Sequence, residues 1–277
     1  MEWWHAVLLG VIEGVTEFLP VSSTGHLTIA EKLLGYQIDD PSVTAFTAII
    51  QVGAVLATVI YLRKDIWRVG TAWLKGLADD KKRKRDYKFG WAVLIGSIPI
   101  GVIGLLFKDE IEGVLRSLWF VAGALIAWST VMWFADRAAK QNRGEQDTTW
   151  KDTLIIGLAQ CLALVPGVSR SGATMSAGLL RGFDRVTVTR LSFFLSIPAL
   201  VAAAILQTVT QFDEISNGVG WGPTTLATIV TFFVAYAAVD WLLKFIAKHD
   251  YSVFIWYRVV LGVTLMVLLA TDIIEPV

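Results

Sequence analysis

The chain has 277 residues, 55% of them hydrophobic and 17% charged, and its 24 Lys plus Arg balance its 24 Asp plus Glu to a formal net charge of zero. That balance excludes the basic footprint of a nucleic-acid binder, and the single cysteine, Cys161, excludes an intramolecular disulfide and a cysteine-rich metal site. Mean hydropathy of +0.60, with apolar runs long enough to cross about 30 Å of hydrocarbon, marks an integral membrane protein.

In chain order, residues 3–35 form an apolar segment broken by PVSSTGH at 20–26. Spanning helices are predicted at 43–62, 90–107 and 117–135. A second broken segment, 153–182, carries PGVSRSG at 166–172, and further spans are predicted at 190–209, 224–247 and 253–270. The first segment lacks a basic leader and carries Glu13 and Glu17, so it is expected to be retained and not cleaved. Each broken segment reads as two short helices joined by a loop. Irregular backbone at membrane depth is tolerated only where it is buried in protein or lines a water-filled cavity, so both are expected to be re-entrant hairpins.

Sliding the chain by 147 residues places Gly10, Val21, Ser22 and Gly25 on Gly157, Val168, Ser169 and Gly172, and Ala30, Leu33, Gly35 and Phe46 on Ala177, Leu180, Gly182 and Phe193. The expected architecture is therefore all-α, a single membrane domain over 1–277 with a first repeat, 1–147, and a second, 148–277. A hairpin leaves by the face it enters and three spans follow it, so the second repeat is expected to be inverted. The loop at 63–90 carries ten Lys or Arg and the loop at 136–152 carries four, whereas 210–223 has none. Loops 63–90, 136–152 and 248–252 are thus predicted to be cytoplasmic, with the hairpin tips meeting near the midplane. Trp67, Trp91, Trp221 and Trp256 are expected as interfacial anchors, His5 and His249 as interfacial residues, and Asp240 and Arg258 as residues that snorkel near membrane ends.

Glu13 and Glu17 lie one helical turn apart on one face. Either they are solvated at the interface, or they hold a hard divalent cation with oxygen ligands. After Pro20, the residues Ser22, Ser23, Thr24 and Gly25 can offer hydroxyls and amides to an anion at a helix start, alongside ordinary N-capping. His26 shares a helix face with Ser23. The second tip supplies Ser169, Arg170, Ser171, Gly172 and Thr174. The planar fork of Arg170 suits phosphate, although the same group can pair with Glu13 or Glu17.

EGVTEFLPVSSTGH at 13–26 and PGVSRSGAT at 166–174 resemble the two signature motifs of the bacterial undecaprenyl-diphosphatase family of the bacitracin-resistance type, and the resemblance covers nearly the whole chain. It implies six spanning helices with two re-entrant hairpins in an inverted repeat, a divalent cation (Mg²⁺ or Ca²⁺), and removal of the terminal phosphate of undecaprenyl diphosphate at the outer face of the bacterial cell membrane. The lipid carrier then returns to wall synthesis, and bacitracin competes by sequestering the same polyprenyl diphosphate. By motif matching, the resemblance gives Glu13, Glu17, Ser23, His26 and Arg170 as functional residues.

The expected chemistry is phosphoryl transfer, in which the protein positions groups and neutralises charge. Glu13 and Glu17 are expected to hold the cation, Arg170 to neutralise growing charge, and Ser23 to attack phosphorus with His26 as general base. Direct attack by water, with Ser23 orienting phosphate, is the second mechanism. The alternative function is transport of polyprenyl phosphate, since broken helices in inverted repeats are common among transporters.

Overall fold

The computed structural model describes residues 1–107 and 117–276; Val277, the last residue of the predicted second repeat, lies outside the described residues. The described residues are mostly helical, with no strand among them, and six helices are long and apolar enough to cross a membrane. These are α3 (Pro41–Tyr61), α5 (Arg85–Leu106), α6 (Leu118–Ala138), α9 (Arg185–Thr210), α11 (Trp221–Ile246) and α12 (Ser252–Ala270). They coincide with the six predicted spans. Between them lie α1 (Trp3–Thr16), α2 (Ser23–Leu33), α7 (Trp150–Gln160) and α8 (Arg170–Leu180), with a short α10 (Phe212–Asn217) before α11.

Residues 63–90, read from sequence as a loop, contain a further helix, α4 (Arg63–Ala78). Its polar face obscures it in a search for apolar runs. Trp67, Leu74 and Leu77 stand exposed on it, as on a helix that lies along an interface.

Both broken segments fold back on themselves. At the open end of the first, His5 Nδ1 lies 2.6 Å from the Tyr36 hydroxyl, and Met1 N donates to Val219 O at 3.4 Å. At the open end of the second, Asp152 accepts from Arg181 Nε at 3.0 Å, and Asn142 N donates to Gly182 O. Between α4, α5, the 136–152 loop and α9 runs an ion-pair cluster in which Glu145 pairs with Arg68 and Arg85, while Asp65 pairs with Arg190 and Arg68. The two strongly basic loops are therefore tied together.

The first helix of each broken segment packs closely on a long helix of the other half, α1 on α11 and α7 on α5. Glycine permits this approach. A Cβ at Gly10 would come within 2.7 Å of Ala227 O, and one at Gly157 would collide with Gly96 O. Gly10 and Gly157 are a pair matched by the 147-residue displacement.

Asp152 closes the second hairpin at its open end. It is 1% exposed and accepts from both Arg143 terminal nitrogens at 3.0 and 2.6 Å and from Thr149 Oγ1 at 2.7 Å. Burial alone would raise its pKa, but hydrogen bonds from Arg143, Thr149 and Arg181 hold it below the usual carboxylate range. A depressed pKa stabilises the fold above the ordinary value of 3.8 and loses that contribution as pH falls below it. Thermal unfolding in detergent should therefore show wild-type stability declining below about pH 4. Asp152→Ala should cost about 2 kcal/mol at neutral pH, because it removes the shared acceptor of two partly exposed guanidinium groups and half of the capping box that starts α7.

Candidate active site

The two tips are built alike because their sequences cap helices alike. Each second half-helix is 11 residues long and follows a serine, Ser22 or Ser169, with a φ of +77°. Such backbone in a non-glycine residue costs on the order of 1–3 kcal/mol and persists only where its surroundings hold it. Here they do. Ser22 Oγ accepts from Gly25 N at 3.3 Å and Ser169 Oγ accepts from Gly172 N at 3.1 Å, each an N-cap. Ser22 Oγ also accepts from Gly167 N at 3.1 Å, and Ser171 Oγ donates to Leu19 O at 2.8 Å, so the tips bond directly to each other.

Charged groups gather where the tips meet. Ser23 Oγ donates to Glu17 Oε2 at 2.5 Å, and Arg170 Nη2 donates to Glu17 Oε1 at 2.6 Å. One carboxylate thus joins the hydroxyl of one half to the guanidinium of the other. Arg170 Nη1 is buried without a partner. Glu13 is fully buried beside Glu17, and neither of its oxygens meets a hydrogen-bond donor.

His26 is turned away from Ser23. Its Nδ1 lies 2.7 Å from Ser22 O, and since a carbonyl only accepts, Nδ1 carries the proton. Its Nε2 lies 2.7 Å from the Tyr257 hydroxyl, with the two rings nearly parallel. The hydroxyl of Ser23 therefore faces a carboxylate and not the imidazole that sequence spacing suggested.

Other predicted residues serve the scaffold. Thr174 Oγ1 is buried within hydrogen-bonding distance of Arg170 O, Ser171 O and Ser192 Oγ, which braces its half-helix. Thr24 is exposed beside the first tip. Gly25 and Gly172 give their amides to the serine caps, so the first-turn amides without intrahelical partners belong to Ser23, Thr24, Arg170 and Ser171.

Arg258 corrects a sequence expectation. It does not snorkel; it is 0% exposed and reaches both tips, donating to Pro20 O at 3.3 Å and Gly167 O at 2.8 Å, as well as to Leu125 O and Ser129 Oγ. It is the seventh residue of α12, about 9 Å along the axis from the first. That depth, with no acidic residue in the same apolar run, was the available signal. Tyr257 and Ser129 carried none.

The residues fit a hard divalent cation. Two adjacent carboxylates in a buried setting need a proton or a cation between them, and the donor-less oxygens of Glu13 with Glu17 are oxygen ligands of the kind Mg²⁺ and Ca²⁺ take. No cluster of three or more His, Cys, Asp or Glu gathers among the described residues, so water and substrate oxygens would complete such a shell. In chelator, Glu13→Gln should not lower the melting temperature, because its amide can donate to Glu17 in place of the shared proton. Added Ca²⁺ or Mg²⁺ should stabilise the wild type and not the variant; equal stabilisation of both would remove Glu13 from the cation site.

The family model described as bacitracin resistance protein BacA matches residues 6–264. Undecaprenyl-diphosphatase 3 of Frankia casuarinae is 66% identical over 272 residues, 98% of each chain. Undecaprenyl-diphosphatase of Cutibacterium acnes is 54% identical over 99% of each, and undecaprenyl-diphosphatase 1 of Streptomyces avermitilis 52% identical over 98% of each. A match that takes in both tips, five of the long helices and most of the sixth leaves one assignment: this chain belongs to the BacA family of bacitracin resistance proteins.

Proposed function

We propose that this multi-pass membrane protein hydrolyses undecaprenyl diphosphate to undecaprenyl phosphate and phosphate, the activity for which its relatives are named, and so contributes to bacitracin resistance. The transport alternative draws no support from these relatives. The observation that carries a mechanism is the Glu17 bridge between Ser23 and Arg170.

Ser23 Oγ attacks the terminal phosphorus while its proton passes to Glu17 Oε2, already 2.5 Å away. The Oγ–P bond forms as the bond to the bridging oxygen breaks, and undecaprenyl phosphate leaves with the electron pair. Arg170 stays on Glu17 through Nη2 and turns the unpartnered Nη1 to the transferred phosphoryl group. The free amides of the two half-helix starts face the same anion. A divalent cation held by Glu13 and Glu17 would neutralise charge on the diphosphate oxygens. Water then attacks the phosphoserine and gives a proton to His26 Nε2, the atom that Tyr257 meets in the resting site, while Ser23 Oγ leaves with the electron pair of the broken Oγ–P bond and takes back the proton held by Glu17.

With labelled farnesyl diphosphate, Ser23→Ala should fall to near background and His26→Ala should accumulate phosphoserine. A Ser23→Ala variant retaining a tenth of the activity, about 1.4 kcal/mol lost, would favour direct attack by water. Arg170→Lys should not restore what Arg170→Ala loses, about 10³-fold in turnover, because a point charge lacks the fork.

The membrane in question is the bacterial plasma membrane, with the site open to the outer side and the hairpins re-entrant from opposite faces. Supporting this are the two basic loops tied together by Glu145 and the lack of Lys or Arg in 210–223, near which Met1 lies. A cysteine at position 82 should be labelled by an impermeant reagent only after the cells are opened, and one at position 217 in intact cells. The reverse pattern overturns the orientation.

A further inference from the structure

We infer that Arg258 is a positioning residue for the reaction: it sets the spacing of the two tips and lends the diphosphate site a second positive charge. The inference rests on the reading that the tips form that site.

The geometry is specific. Pro20 and Gly167, whose carbonyls accept from Arg258, are matched by the 147-residue displacement, and each lies three residues before a reactive side chain, Ser23 or Arg170. One guanidinium thus holds equivalent points of both halves. From the other side, its Nε and Nη2 are anchored on α6 through Ser129 Oγ at 3.2 Å and Leu125 O at 3.4 Å. The Gly167 peptide is gripped at both ends, by Arg258 at its carbonyl and by Ser22 at its N–H. The preceding residue, Tyr257, meets His26 Nε2 at 2.7 Å. The Tyr257–Arg258 pair of α12 therefore contacts both tips and the histidine beside the first.

The charge matters as much as the fork. Arg258 is 0% exposed, and its four acceptors are all neutral. A buried cation without an anion is costly. A neutral donor would serve a purely structural strut at lower cost. The anion that repays this charge is the diphosphate seated on the tips, one loop away.

The experiment compares full-length wild type, Arg258→Lys and Arg258→Met in detergent, with farnesyl diphosphate as substrate and inorganic pyrophosphate as competing probe. Arg258→Lys keeps charge and loses the fork, so kcat should fall about 10²-fold, the scale expected of a misplacement near 1 Å, while pyrophosphate inhibition moves less than about threefold. Arg258→Met loses both, so its inhibition constant should also rise more than tenfold. Turnover of Arg258→Lys within about threefold of wild type, or losses in both variants matched by a smaller folded fraction, would overturn the inference. Should both variants fail to fold, Ser129→Ala keeps the guanidinium and removes one anchor worth about 1 kcal/mol. It should lower kcat about fivefold with the melting temperature lowered by no more than about 4 °C, and an unchanged kcat overturns the inference. If Ser23→Ala and Arg170→Ala remain active, the reading of the tips as the site fails; if those are inactive and Arg258→Lys is normal, only the role of Arg258 fails.

Discussion

Everything in this fold turns on the satisfaction of broken backbone in apolar surroundings. A helix interrupted by Pro20 or by Pro166 and Gly167 leaves carbonyls and amides without intrahelical partners, and a lipid environment supplies none. Each break is repaired by the other. Leu19 O takes the Ser171 hydroxyl, Gly167 N finds Ser22 Oγ, and Arg258 takes the carbonyls of Pro20 and Gly167. The site cannot be assembled by one half alone. The strained backbone at Ser22 and Ser169 is held by the same contacts that bring Ser23 and Arg170 to Glu17.

On this common scaffold the halves divide the chemistry. The displacement that matches Ser22 with Ser169 and Gly25 with Gly172 also matches Glu13 with Gln160, Glu17 with Leu164 and Ser23 with Arg170. Residues that cap the half-helix are alike, because both helix starts face the same problem of unpartnered amides. Residues that would touch phosphate differ, because attack and charge neutralisation ask for opposite groups. The first half brings the carboxylates and the hydroxyl, and the second brings the guanidinium.

How far the sequence could be read follows from the range of each signal. The six long helices announce themselves by apolar length, a local property, and the two interruptions by Pro, Gly and Ser clusters. The ion pair between Arg170 and Glu17 was one of two partners open to Arg170, and only tertiary structure selects it. Helix α4 was missed because an amphipathic helix at an interface has no long apolar run. The i,i+3 spacing of Ser23 and His26 correctly puts them on one helix, but spacing says nothing about Glu17, six residues back across the turn, which takes the hydroxyl instead. Tyr257 and Arg258 lie more than 230 residues from the first tip, and no local pattern links them to it.

The balance of charge connects the carboxylates to both arginines. Around the tips, the acids Glu13 and Glu17 face the cations Arg170 and Arg258, with all four side chains largely or wholly buried. In a medium of low dielectric an imbalance of even one charge is expensive. With a proton or a cation shared between the two glutamates, neither is free to offset Arg258, whose acceptors in the resting site are all neutral. A diphosphate monoester brings at least two negative charges to the tips. A divalent cation held by the glutamates would offset part of that charge, so the proposed cation and the unpaired arginine would answer the same electrostatic demand from opposite sides of the tips.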